Sequence, residues 1–199
     1  MSKSYSQFTY EDLEVLNIGY GLSSLAFSGR VIEPSAFLKQ TLETNLKLPL
    51  GSETAKSQFI TGPILSEILV KNNFEFTYFA GYTFDVDKTR GLKGICDYIL
   101  TKKPQSPIVD APIFLLVEAK KDNLESGIPQ CAAEMVAAQI FNERRNNETK
   151  VVFGAVTSGK EWLFLRLEND FVSIDTKNYY LHDLSELLGV LQDVVDFYK

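Results

Sequence analysis

The stretch Ile113 to Lys120, reading I-F-L-L-V-E-A-K, constrains this chain more than any other. It is an unbroken apolar run, rich in branched and aromatic residues, that ends in a carboxylate and an ammonium two positions apart. Such a run predicts a strand buried on both faces. Side chains at i and i+2 of a strand share a face, so Glu118 and Lys120 project together from its end. Charges set at the end of a central strand need a partner or a task.

The remaining elements follow from local signals. Residues 1–8 read as a loose tail. Thr9 to Asn17 reads as a short helix, with Thr9 as N-cap and Asp12 completing a capping-box-like pattern. Gly19 to Gly29 is small and apolar and fits either a strand or a packed loop. A second helix is expected near Pro34 and running to about Lys47. A third, Glu53 to Lys71, carries Ile60, Ile64 and Ile68 as its buried stripe, with Pro63 implying a kink or break. Glu67 falls on or beside that stripe. It is either a carboxylate with a cation or donor to meet, or an edge residue that reaches water.

Phe74 to Val86 is aromatic and β-rich, and Gly81 suggests a bulge or bend in it. Asp87 to Gly94 is a basic turn holding Lys88, Arg90 and Lys93. In the strand Ile95 to Leu100, Asp97 shares a face with Ile95 and Ile99. That is an odd place for an aspartate without a ligand to hold. After Lys120, Pro129 opens a helix to about Arg145 whose Ala132, Ala133, Ala137 and Ala138 allow close approach to a sheet. Its first turn holds Gln130, with Glu134 one turn later on the same side, so the helix start faces Glu118 and Lys120. Val151 to Val156 and Trp162 to Leu167 form a hairpin about Thr157-Ser158-Gly159-Lys160, and Phe171 to Ile174 adds an edge strand. A last helix, Asp183 to Tyr198, turns Leu184, Leu187, Leu188, Leu191, Val194 and Val195 inward.

These elements predict an α/β single domain over 1–199, with a mixed central sheet flanked by helices. Residues 1–52 would be a helical extension, 53–175 the core and 176–199 a C-terminal helix. No apolar run nears the roughly 20 residues a membrane span needs, and the polar amino terminus has no signal-peptide pattern. Cys96 and Cys131 fall inside core elements without zinc-ligand spacing, which implies a reducing, cytoplasmic compartment. The formal net charge of −6 argues against general affinity for nucleic acid, though not against a nuclease whose metal supplies positive charge. The only histidine, His182, offers no paired catalytic base, and Thr157 to Lys160 lacks the upstream glycine of a phosphate loop.

Asp97 and Glu118, from adjacent strands, form a hard oxygen site suited to Mg²⁺, with Glu67 as a third carboxylate. Lys120 is placed to orient or deprotonate a water, or to stabilise charge on a phosphate. Gln130 is placed to bind that phosphate or anchor the lysine. Asp97, then Glu118-Ala119-Lys120, then Gln130 together resemble the PD-(D/E)XK nuclease superfamily. The resemblance spans about Glu53 to Val156, and the segment Gly154 to Arg166 looks like proteins near the amino-terminal nuclease region of type I restriction enzyme subunits. No proline precedes Asp97, a departure from the signature.

The resemblance implies a restriction-endonuclease-like αβββαβ core and Mg²⁺-dependent phosphodiester hydrolysis of nucleic acid, DNA above all, with Mn²⁺ as a substitute ion. It further implies that Glu67, Asp97, Glu118 and the Ala119 carbonyl hold the metal, with Lys120 and Gln130 completing the catalytic set. Apart from the resemblance, Lys88, Arg90 and Lys93 lie near the predicted site and either meet phosphates or belong to a solvated surface. A homodimer and a non-catalytic protein of the same fold that binds nucleic acid or protein stay open as alternatives.

Overall fold

The computed structural model describes residues 3–147 and 149–199. One mixed sheet takes strands from most of the chain, in the order β1-β7-β6-β5-β4-β3-β2. They are β1 (Gly19–Leu22), β2 (Thr77–Thr83), β3 (Ile95–Thr101), β4 (Ile113–Ala119), β5 (Val151–Thr157), β6 (Glu161–Glu168) and β7 (Phe171–Tyr180). The helices are α1 (Tyr10–Val15), α2 (Ala36–Asn45), α3 (Glu53–Lys56), α4 (Gly62–Lys71), α5 (Ile128–Arg144) and α6 (Leu184–Asp196). Strands β2, β3 and β4 form an antiparallel meander, and α5 carries the chain over to β5, parallel to β4. Strands β6 and β7 return antiparallel, and β1 adds parallel to β7. None of the described helices is long and apolar enough to cross a membrane.

All of β4 is buried, as its apolar run predicts, because both faces of the sheet are covered. Leu116 points into the core beneath α5, and Phe114 and Val117 into the core beneath α4 and α6. Each such side chain contributes about 1.5–3 kcal/mol. The alanines of α5 are fully buried, and the helix sits so close that a Cβ on Gly154 would lie 2.4 Å from Met135 Sδ. The inner face of α6 is the expected one, with Leu187, Leu188, Leu191, Val194 and Val195 buried.

Between α3 and α4 the chain forms a π-helical turn, Ser57–Thr61, where the Gly62 N–H donates to the Ser57 carbonyl. Pro63 has no N–H for the Phe59 carbonyl four residues earlier, and its ring would crowd that carbonyl in a regular helix. The wider turn gives room, and Asn45 Nδ2 donates to the Phe59 carbonyl at 2.8 Å. The anticipated kink or break is thus a π-bulge, and the helix stays continuous.

Several expectations change. Residues 3–8 are not a loose tail, while residues 1 and 2 lie outside the described set. Tyr5 and Phe8 are buried, and the Tyr5 hydroxyl donates to the Phe84 carbonyl at 2.8 Å. Residues 1–52 are not wholly helical, since Gly19–Leu22 joins the sheet. Strand β7 is no short edge strand: it runs ten residues to Tyr180 between β6 and β1, so 176–180 belong to the sheet. Gly81 takes a left-handed φ of 60°, yet the β2–β3 register is unshifted on either side of it, so no residue is inserted. Thr9 does cap α1, its N–H donating to Asp12 Oδ2 at 2.8 Å.

Candidate metal centre

The β3–β4 ladder ends at the pair Tyr98 and Val117. One step further, where the strands part, Asp97 lies across from Glu118. Cys96 and Ile99 both turn toward the α5 core, while Tyr98 and Leu100 turn the other way. Strict alternation therefore fails around Asp97, whose neighbours Cys96 and Tyr98 turn to opposite sides, and of the two isoleucines Ile95 is exposed and Ile99 buried. In place of a ladder bond, the Ala119 N–H donates to Asp97 Oδ2 at 2.8 Å, fixing the aspartate to the end of β4.

Lys120 turns back over that end. Its Nζ donates to Glu118 Oε1 at 2.6 Å and to Gln130 Oε1 at 2.9 Å, so the same-face reading of Glu118 and Lys120 describes what is found. The stem of Lys120 passes close to Gly127, where a Cβ would sit 3.0 Å from Lys120 Cγ and 2.6 Å from Val156 Cγ1. Glycine there lets the start of α5 close on the strand end. Gln130 anchors the lysine, and its Nε2 donates onward to Glu134 Oε1 at 3.2 Å.

Glu67 is elsewhere. It is buried on the stripe as its spacing predicts, but its carboxylate accepts from Ser35 N at 2.8 Å and Ser35 Oγ at 2.7 Å, with Lys71 3.4 Å away. It ties α4 to the N-terminus of α2. The carboxylate that completes the site is Glu53, and one oxygen each from Glu53, Asp97 and Glu118 lie within 4.8 Å of one another. Glu53 stands seven residues before Ile60, on the same helical stripe, and that spacing was the available signal. Ser52 fixes its position by capping α3, accepting from Ala55 N at 3.1 Å. The π-turn is pinned beside it, because the Tyr98 hydroxyl donates to the Ser57 carbonyl at 2.8 Å.

The Asp97 and Glu118 carboxyls of this cluster are held above their ordinary values. Glu118 is 2 % exposed, and its Oε2 has no hydrogen-bond partner among the described residues. Burial, with repulsion from Asp97, pushes its carboxyl up to about 8 although Lys120 pulls the other way. Burial also raises Asp97, against the Ala119 hydrogen bond. Partial burial lowers the Lys120 ammonium's pKa, but Glu118 outweighs that and the net shift is upward. Four carboxyls (Glu53, Asp97, Glu118 and Glu134) therefore gather around one ammonium. Protons or a cation must make up the difference, and an all-oxygen donor set with a small gap suits a hard divalent ion. Glu53 and Asp97 open on a cleft of about 230 Å³ that Ser57, Gly81 and Tyr98 also line, with Glu118 buried behind them.

Ala119 sits between the two charged residues with its N–H committed to Asp97. Lys88, Arg90 and Lys93 lie on the loop joining β2 to β3, at the sheet end where β3 begins. Lys88 pairs with Asp85 at 3.0 Å, the Lys93 carbonyl accepts from Tyr5 N at 3.0 Å, and Arg90 is exposed. A larger cleft of about 730 Å³, toward β6 and β7, holds Asp122, Glu125, Glu161 and Asp175 and, among the described residues, neither Lys nor Arg. No protein-family model matches this chain, and no curated protein matches it in sequence.

Proposed function

We propose that this protein hydrolyses phosphodiester bonds of nucleic acid, DNA in the first place, in a Mg²⁺-dependent reaction on a restriction-endonuclease-like core. The observation that carries the reading is the convergence of Glu53, Asp97 and Glu118 oxygens within 4.8 Å, with Lys120 Nζ 2.6 Å from Glu118. The element order supports it: the helix spanning residues 53–71, then β2, β3, β4, α5 and β5, with β4 parallel to β5, matches the αβββαβ arrangement that the signature implies. The unpartnered Glu118 Oε2 and the excess of carboxyls over ammonium support a divalent ion at that point.

In this reading Glu53, Asp97 and Glu118 hold Mg²⁺, with the Ala119 carbonyl as a further oxygen. The ion would supply Lewis-acid polarisation of the phosphodiester and local positive charge. Lys120, kept as an ammonium by Glu118, acts as a donor to developing phosphate charge; the alternative of a proton-abstracting lysine is disfavoured. Gln130 holds Lys120 and leaves phosphate binding to others. The acidic cleft toward β6 and β7 repels a phosphate backbone, so the substrate approaches from the β2–β3 loop with Arg90 and Lys93.

Incubating supercoiled DNA with Mg²⁺ or Mn²⁺ and wild type, Asp97→Ala or Lys120→Ala tests this. Cleavage by the wild type alone is expected. Cleavage that persists in both variants points to a contaminant. Neither cleavage nor Mg²⁺ binding by calorimetry leaves the non-catalytic binding protein.

A further inference from the structure

Apart from Gln130 one turn earlier, the residues around Glu134 on α5 are small or apolar. Its neighbours Cys131, Ala132, Ala133, Met135, Ala137 and Ala138 are all fully buried, and so is Glu134. A carboxyl in such surroundings is unfavourable, and an apolar side chain of like volume would give a more stable core. Its one hydrogen bond among the described residues is from Gln130 Nε2 at 3.2 Å, and its Oε2 has no partner there. Packing therefore gives no reason for an acid at this position.

The amide of Gln130 supplies one. It has an oxygen end and a donor end, and only the oxygen end suits Lys120, whose ammonium is donor-only. Were the amide turned around, its NH₂ would face Nζ, donor against donor. Glu134 Oε1 is an acceptor one helical turn away, on the side opposite Lys120. It holds the NH₂ end and so leaves Gln130 Oε1 2.9 Å from Lys120 Nζ. The result is a chain, Glu134 to Gln130 to Lys120 to Glu118, running from the fully buried face of α5 to the carboxylate trio.

We propose that Glu134 is a positioning residue: by fixing the orientation of the Gln130 amide it sets where the Lys120 ammonium stands relative to Glu118. This rests on the nuclease reading of the site, and its test separates the two. Outer partners of this kind change activity by about 10- to 100-fold when removed. Glu134→Leu keeps the volume and removes the acceptor, Glu134→Met is a second apolar variant, and Glu134→Gln keeps an oxygen that can accept from Gln130.

The expected result is a kcat about 10- to 100-fold lower for Glu134→Leu, with KM unchanged and Tm equal to or above wild type. Glu134→Gln stays close to wild type, and Glu134→Leu adds no further loss to Gln130→Ala. The crystal structure of Glu134→Leu should show Lys120 Nζ detached from Gln130. A wild-type kcat in Glu134→Leu, an undiminished loss on the Gln130→Ala background, or an unmoved Lys120 would overturn the proposal. So would failure of both apolar variants to fold, which would make Glu134 a structural residue. If the wild type cuts no DNA, the nuclease reading fails instead, and the Lys120 position in the variant crystal alone decides the role of Glu134.

Discussion

Replacing Glu118 with glutamine should make the metal-free protein more stable while abolishing its response to Mg²⁺. Glu118 is 2 % exposed, and its carboxyl is pushed from an ordinary 4.5 up to about 8 by burial first and Asp97 second. A raised acid binds its proton more tightly folded than unfolded. Its contribution is fully present below about pH 4.5, declines as pH rises through about 8, and is constant above that. At ~1.4 kcal/mol per pH unit, the expected loss is on the order of a few kcal/mol. For a chain of this length that is on the order of 10 °C in Tm.

Thermal unfolding of metal-free wild type and Glu118→Gln across pH 5 to 8 reads this effect together with the relief of Asp97 and Glu134 from the Glu118 charge. Wild type should fall below the variant as pH rises. Mg²⁺ at ~100 times its dissociation constant should then restore about 2.7 kcal/mol to wild type and nothing to the variant. Parallel pH profiles, or an equal Mg²⁺ effect on both proteins, would refute the argument that an uncompensated buried carboxylate awaits a cation.

Other consequences are as direct. Ser35→Ala removes both the α2 cap and a hydrogen bond to Glu67, so chemical denaturation should show a loss of about 1–2 kcal/mol; Mg²⁺ affinity by calorimetry should not change, nor should it in Glu67→Gln. Gly127→Ala sets a methyl 2.6 Å from Val156 and 3.0 Å from Lys120. It should cost about 1–3 kcal/mol in urea unfolding and lower cleavage more than heat stability alone accounts for. Arg90→Glu with Lys93→Glu should weaken DNA binding in a gel-shift titration and flatten its salt dependence by about two charges' worth of slope, leaving Mg²⁺ affinity as it was.

The sequence discloses the centre of this molecule well, because the centre is made by local rules. An apolar run ending in Glu118 and Lys120 has only one way to bury itself, and strand periodicity then brings both charges to one side. Gln130 follows from a helix that must start where the strand ends. The misassigned carboxylate shows where local rules stop. Glu53 and Glu67 are 14 residues apart, about four turns of an ideal helix, so both sit on the stripe marked by Ile60 and Ile64.

Periodicity identifies the face, but only tertiary packing decides which end of the helix meets β3 and β4. The same limit hides the second half of β7, where Asp175, Thr176 and Lys177 carry no apolar alternation and fall at a register shift against β6, pairing resuming only at Asn178. It hides β1 too, whose partner lies some 150 residues away in the sequence. The π-turn needed knowledge that Asn45 would take over the carbonyl Pro63 leaves free.

Anomalous diffraction from crystals soaked in Mn²⁺ tests the central claim most directly. The account predicts one strong peak within coordination distance of Glu53, Asp97 and Glu118 together, lost in Asp97→Ala. No peak there, or a peak at Glu67, would contradict it.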